Sequence, residues 1–566
     1  MSTEKSELAS VVAKATGLDS TELVTWIEYP PNPNLGDLAF PCFRLAKIQK
    51  KSPQQIAEQL AKEISGSNRF AGAEAAGGYV NVRLLRDKVA TTTIHLARTA
   101  TESLFSSQKM KGRVAAVDYS SPNIAKPFGV GHLRSTIIGQ SIVRLLKANG
   151  CEVVGINHLG DWGTQFGKNI AAYLRWGDEE VVKQNPVREL FHLYVRFHDE
   201  AKDNPELEDE GRLWFKRLEE GDPTARRLWQ WFIDESIAVF KKTYDLLDVS
   251  FDHYLGESFY NDKMEAVVDE LRRDNLLVES EGAEVVDLSE WNMPPCIIKK
   301  SDGASIYATR DLAAAMYRNQ TFGADTLVYV VGAEQTLHFQ QIFKVLELMG
   351  KPWAKNCKHV SFGMMKYNGE RLSTRRGKVV YLDDVLSRAV DEAAKIIESK
   401  NPSLSDKESV AKAVGVGAVI FNDLKTYRQH DVDFRYEDVL NFDGETGPYV
   451  QYTHARACSV LRKAEGMLGQ DPVSFAEVTE IEWRVVSQLM QAAEYFDRAV
   501  AEYDPSLIAR FALDLCQAFN RFYHDHPILT AEDPSVRQTR LALTDATRAV
   551  LNWCLTVLGL TALEAM

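Results

Sequence analysis

The segment 113–163 constrains the fold of this 566-residue chain more than any other. RVAAVDYS (113–120) is a short apolar run suited to a buried parallel strand. GHLRSTIIGQSIVRLLKANG (131–150) puts Leu133, Ile137, Ile138, Ile142 and Leu145 on one helical face and stops at Gly150. CEVVGINHLGDWG (151–163) reads as the next strand, entering a glycine-rich loop. Strand, helix and strand make a βαβ unit with a right-handed crossover. TLVYVVGAE (326–334) and HVSFGMM (359–365) read as further apolar strands.

Around this centre the pattern changes. Residues 1–105 read as a small α+β domain. There KKSPQQIAEQLAKEI (50–64) begins a helix at Ser-Pro and GGYVNVRLL (77–85) alternates like a strand. The polar, basic SSQKMKGR (106–113) reads as a linker. An α/β domain is expected over 106–395, with a helical insertion at about 176–290 that is charge-dense over 176–240. Residues 396–566 read as an all-helical bundle. The expected fold is thus multidomain: a Rossmann-type parallel-sheet core with an insertion, a small α+β N-terminal domain and an all-α C-terminal bundle.

Charge and cysteines narrow the chemistry. Lys+Arg 66 against Asp+Glu 79 leaves −13, a long-range field that repels phosphate, so a nucleic acid would need local basic patches. The longest apolar stretch, Ala549–Leu563, is broken by Asn552 and Thr556 and falls short of the roughly 20 residues of a bilayer span. MSTEKSELAS has neither a signal-peptide nor a transit-peptide pattern, so a cytoplasmic protein with no membrane contact is expected. Seven scattered cysteines without Cys-x-x-Cys exclude a zinc ribbon and a disulfide framework. The acidic surface and the lack of a coiled-coil seam point to a monomer.

Two stretches carry chemistry. Ser121-Pro122-Asn123-Ile124-Ala125-Lys126-Pro127-Phe128-Gly129-Val130-Gly131-His132 leaves a strand at Asp118 and opens a helix near His132. A helix start approached through glycine offers free N–H groups and a positive dipole to a phosphate. Alone it would also pass for a capped turn. Arg371-Leu372-Ser373-Thr374-Arg375-Arg376-Gly377-Lys378 is a basic, hydroxyl-bearing stretch suited to a triphosphate, or, alone, a solvated loop.

As a pair, some 240 residues apart, they resemble the HIGH and KMSKS signatures of class I aminoacyl-tRNA synthetases. SSPNIAKPFGVGHLRSTIIG (120–139), INHLGDWGTQFG (156–167), SDGASIYATRDLAAA (301–315) and ETGPYVQYTHARACSVLRK (445–463) are similar to arginyl-tRNA synthetases. So are NLGDLAFPCFRLAK (34–47) and GGYVNV (77–82), and together the resemblance spans nearly the whole chain in the family's order. Gly129 stands where HIGH has its first His, and the KMSKS-like Arg371–Arg375 lacks a Lys at its second basic position.

The resemblance implies arginyl-adenylate formation from arginine and ATP, with Mg²⁺ on the phosphates and no protein-bound zinc, then transfer to tRNA(Arg). Lys126, His132, Arg371, Ser373 and Arg375 would stabilise charge, Lys126 supplying what the altered signatures lack. Gly129, Gly131, His132, Arg371, Leu372 and Ser373 would bind ATP. Asp118, Tyr307 and Asp311 would meet the guanidinium, and Asn123 and Gln335 the α-amino and carboxylate groups. A point ammonium would leave one of two separated carboxylates unpaired, which disfavours lysine. The tRNA would meet Asn81 in the N-terminal domain and Tyr452, Arg456, Asn520 and Tyr523 in the bundle, with Tyr449, His454, Phe522 and His524 nearby. For Phe522 the core reading is favoured over a base contact, and Trp553 and Leu555 read as core.

Overall fold

The structure is a computed structural model describing residues 3–105, 107–301, 307–367, 369–371, 380–439, 441, 444–469 and 472–566. Five parallel strands form its centre, in the spatial order Cys357–His359, Thr326–Tyr329, Val114–Asp118, Glu152–Asn157 and His253–Tyr254. Ala115, Ala116 and Val117 are at most 2% exposed, as a strand covered on both faces requires. The helix Val130–Ala148 makes the crossover between the 114 and 152 strands and is followed by Gly150 at φ +84°. Gly139 sets how closely this helix packs: a Cβ there would lie 2.3 Å from Tyr119. The neighbours of Val114–Asp118 lie on opposite sides of it, with Asp118 opposite both Tyr329 and Ile156. This reversal of strand order opens a crevice at the carboxyl edge.

The N-terminal domain is α+β as expected. Its antiparallel sheet runs Leu38–Pro41, Tyr79–Arg83, Gly72–Ala76. The expected helix is Pro53–Gly66, with Ser52 capping it through the Gln55 N–H. The C-terminal helices include Lys407–Leu424, Gly447–Lys463, Glu480–Glu502, Ser506–Asp525 and Pro534–Leu558. Both end regions dock on each other. Trp483 Nε1 donates to Asp37 at 2.8 Å, Arg98 pairs with Asp545 at 3.1 Å, and Phe105 stacks on Trp553 at 3.7 Å. Trp553 is thus packed at an interface, half-buried, and Leu555 is core. Among the described residues no helix is long and apolar enough to cross a membrane.

Three sequence expectations need correction. HVSFGMM (359–365) is not one strand: the central strand ends at His359, and Met365–Tyr367 pairs instead with Val432–Phe434 in a separate small sheet. The stretch 176–290 is not wholly helical. After the helix Pro223–Leu247, His253–Tyr254 joins the central sheet, the helix Met264–Arg273 follows, and Leu277–Ser280, Ala283–Val286 and Cys296–Lys299 form an antiparallel sheet. Nor does the backbone break at 395, since the helix Leu382–Lys400 runs through it. Apolar runs announce burial; which sheet takes them depends on partners distant in sequence.

Candidate active site

The turn after Asp118 is strained and heavily tied. Ser120, Ser121 and Ala125 adopt positive φ (72°, 49° and 56°), which costs non-glycine residues energy and persists only where the surroundings enforce it. The ties are visible. The Ser120 N–H donates to Ser135 Oγ at 3.0 Å, Ala125 N–H to Ser236 Oγ at 3.1 Å, and Ile124 N–H to the Gly160 carbonyl at 3.1 Å. A Cβ on Gly160 would sit 2.4 Å from Asn123 Oδ1, so a side chain there would push the Asn123 amide out of this pose. Gly129 then caps the helix Val130–Ala148 with no side chain over its end, and Gly131 is exposed in its first turn.

The chain leaving the basic stretch is bonded to this turn. Val130 N–H donates to the Val380 carbonyl and Leu382 N–H to the Phe128 carbonyl, both at 3.1 Å. Leu372, Ser373, Thr374, Arg375, Arg376, Gly377 and Lys378 lie outside the described residues, and Arg371 is described by its backbone alone, paired with Lys366. The flank at Val380–Leu382 therefore lies against the helix start.

His132 is half-buried and stacks on Phe128 at 5.5 Å. Its Nδ1 is buried with no hydrogen-bond partner among the described residues. Burial, with the nearby Lys126 ammonium adding to it, lowers its pKa to about 4, so the ring is neutral at pH 7. Lys126 holds its ammonium 5.6 Å from the Tyr194 ring, on a helix of the insertion.

The two predicted carboxylates converge. Asp118 Oδ2 accepts from Arg318 at 2.8 Å and Oδ1 from Ser121 at 2.9 Å. Arg318 lies on the same helix, Tyr307–Phe322, as Asp311. Both carboxylates act on His158, opposing the burial that lowers its pKa. Asp311 Oδ2 lies 2.5 Å from His338 Nε2, and its side chain is 24% exposed. Tyr307 is 65% exposed on the first turn of that helix. Gln335 is exposed on the turn Ala333–Gln335 beyond the strand Thr326–Tyr329, and Asn123 is half-buried beside Gly160.

Two residues here escaped the sequence reading. Arg318 stands seven residues beyond Asp311, a spacing that returns to the same helical face and could have flagged it. Its partner 200 residues away could not have been found so. Glu257 carries no motif. Its carboxylate lies 3.8 Å from Arg310, and burial raises its pKa to about 7, with Arg310 opposing and Asp161 and Asp311 reinforcing the rise.

In the bundle, Tyr452, Arg456 and Tyr523 line a cavity of about 580 Å³ together with Met566. The Arg456 guanidinium sits 4.7 Å from the Tyr452 ring and 5.0 Å from the Tyr523 ring, and donates to Asn520. Asn520 in turn donates to the Tyr449 hydroxyl at 3.1 Å and to Thr453 at 2.9 Å. Tyr452 and Tyr523 are 41% and 42% exposed. His454 is a correction, whereas Phe522 takes the core place its sequence favoured. His454 is buried and bonds the Leu563 carbonyl at 2.9 Å, while Phe522 is wholly buried core, so neither presents a face to a base. Asn81 is only 7% exposed; Tyr79 and Arg83, two residues to either side on its strand face, are exposed, and Tyr79 lies edge-on to Phe43 at 5.2 Å.

Comparison with known proteins fits this geometry. The family model for "tRNA synthetases class I (R), catalytic domain" matches residues 96–436, which defines the α/β body as a class I aminoacyl-tRNA synthetase. Those for "Arginyl tRNA synthetase N terminal domain" and "DALR anticodon binding domain" match 3–84 and 450–566. An arginine–tRNA ligase of Alkaliphilus metalliredigens is 50% identical, over 97% of each chain. One from Clostridium perfringens is 48% identical over 99% of this chain and 100% of its own. The structure of Thermus thermophilus arginyl-tRNA synthetase superposes with a TM-score of 0.83 at 26% identity, covering 99% of both chains. The chain belongs to the arginyl-tRNA synthetase family, and its reaction is the ligation of arginine to tRNA.

Proposed function

We propose that the crevice at the carboxyl edge of the central sheet binds arginine and MgATP side by side and joins them. An oxygen of the arginine carboxylate attacks the α-phosphorus, the bond to the β-phosphate oxygen breaks, and pyrophosphate leaves. A terminal ribose hydroxyl of tRNA(Arg) then attacks the carbonyl of the adenylate, releasing AMP. Neither step needs a protein nucleophile, so the chain's share is positioning and charge stabilisation.

The guanidinium is met by Asp311, the more open carboxylate, and by Asp118, whose oxygens have room for further donors beyond Arg318 and Ser121. Tyr307 covers the guanidinium plane, while Asn123 and Gln335 take the α-amino and carboxylate groups. His132, neutral at pH 7, hydrogen-bonds nucleotide oxygens at the helix start beside Gly129 and Gly131, and Lys126 supplies the positive charge. Arg371, Leu372, Ser373 and Arg375 complete the phosphate site. The cavity around Tyr452, Arg456 and Tyr523 stacks unpaired anticodon bases, with Asn520 orienting Arg456. The face carrying Asn81, Tyr79 and Phe43 meets another part of the tRNA. The chain works as a monomer in the cytoplasm, a reading supported by its net charge of −13, which disfavours self-association.

One observation carries this reading: Asp118 is bonded to the helix that bears Asp311, at the sheet edge from which the phosphate turn departs. The test is arginine-dependent ATP–pyrophosphate exchange with and without tRNA(Arg). Exchange supported by arginine and raised by cognate tRNA is expected; exchange with another amino acid in preference to arginine refutes the pocket assignment.

A further inference from the structure

Gly363 lies where the chain passes from the central strand Cys357–His359 to the small-sheet strand Met365–Tyr367. A Cβ on it would come within 2.6 Å of the His430 backbone and 2.8 Å of the Gln429 carbonyl, so two backbones touch at a residue that must be glycine. Two arginines fasten this crossing from opposite sides. Arg428 donates to the Ser361 carbonyl at 3.3 Å, to the Tyr503 carbonyl at 3.2 Å and to the Glu502 carbonyl at 3.1 Å. The last two end the bundle helix Glu480–Glu502, at the negative pole of its dipole. Gly363 N–H closes the link on the Arg428 carbonyl at 2.9 Å.

On the other side Arg134 is wholly buried, two residues beyond His132 on the phosphate-binding helix. It donates to the carbonyls of Gly363 at 2.7 Å and His430 at 2.8 Å, and pairs with the buried Asp423 at 3.1 Å. Asp423 belongs to the helix Lys407–Leu424. A guanidinium bonds several fixed carbonyls at once because its donors form a rigid planar fork, which an ammonium cannot imitate. Packing alone would not require that two such forks meet at one glycine.

We propose that Arg428 and Arg134 are positioning residues that couple the helix Glu480–Glu502 to the helix bearing His132, so that tRNA held by the bundle changes nucleotide use at the sheet edge. This rests on the reading under Proposed function. The full-length Arg428→Lys variant keeps the charge but cannot span Ser361 and the helix end together. Asp423→Asn loosens the Arg134 side without changing shape. For each, the affinity for tRNA(Arg) is measured by direct binding, the folded fraction by circular dichroism, and pyrophosphate exchange with and without tRNA.

Binding within about twofold of wild type, with the stimulation by tRNA reduced about tenfold, is expected. Stimulation unchanged in both variants overturns the proposal. So does a loss of stimulation that only follows lost tRNA affinity or lost folded protein, because the arginines are then structural. A wild type whose arginine-dependent exchange is the same with and without tRNA also overturns it. A wild type with no arginine-dependent exchange at all refutes the underlying reading instead.

Discussion

Replacing Asp311 by Asn tests the arginine pocket most directly. The substitution keeps the side chain's shape and an acceptor for His338, and removes one negative charge from a site that is 24% exposed. Its structural cost is small, because the one bond at risk is a partly exposed contact worth about 1 kcal/mol or less. Its functional cost is larger. A charge-assisted hydrogen bond to guanidinium is worth about 1.5–3 kcal/mol, which is roughly a 10- to 150-fold loss in kcat/KM for arginine. The KM for ATP should stay within about twofold, since in the proposed site the nucleotide meets the helix start and not this side chain. Selectivity should also fall: with one carboxylate left, lysine no longer strands a second, and the arginine-to-lysine ratio of kcat/KM narrows by about tenfold. Pyrophosphate exchange titrated separately with arginine, lysine and ATP reads all three numbers, and the urea midpoint reports the fold. An arginine KM within twofold of wild type in a folded variant refutes the pocket.

Three further outcomes follow from the same geometry. His132 is held near pKa 4 against about 6.5 unfolded, so the stability it contributes is complete above pH 6.5 and is lost as pH falls toward 4; His132→Gln should flatten that acid limb in urea titrations, and an NMR midpoint for His132 near 6.5 contradicts the burial argument. Gly139→Ala gains about 1 kcal/mol of helix propensity, but its methyl would sit 2.3 Å from Tyr119, and overpacking of that kind costs about 1–3 kcal/mol or more; a lower melting temperature is expected, and a higher one refutes the contact. Arg456→Ala should weaken tRNA binding about tenfold and reduce the slope of log affinity against log salt by no more than about 1, whereas unchanged affinity removes the cavity from the interface.

The sequence by itself determined what local rules govern. Apolar runs and helical spacing between 113 and 157 dictated a buried strand, its crossover helix and the parallel partner, and Ser52-Pro53 and Gly150 marked helix ends, because these signals depend on neighbours within a turn or two. The motif words carried the family. Tertiary structure decided the rest. HVSFGMM divides between two sheets, and His253–Tyr254 returns to the central one after the long insertion, because strand pairing is a matter of distant partners. His454 and Phe522 turned inward while Tyr452 and Tyr523 stayed open, although all four share the same kind of sequence surroundings; only the packing of neighbouring helices chooses which face is buried. Arg318 on Asp118, and Glu257 beside Arg310, are pairings of charges brought out of water together. Burial makes such groups seek partners wherever the fold provides them, at separations that no spacing rule within the chain encodes.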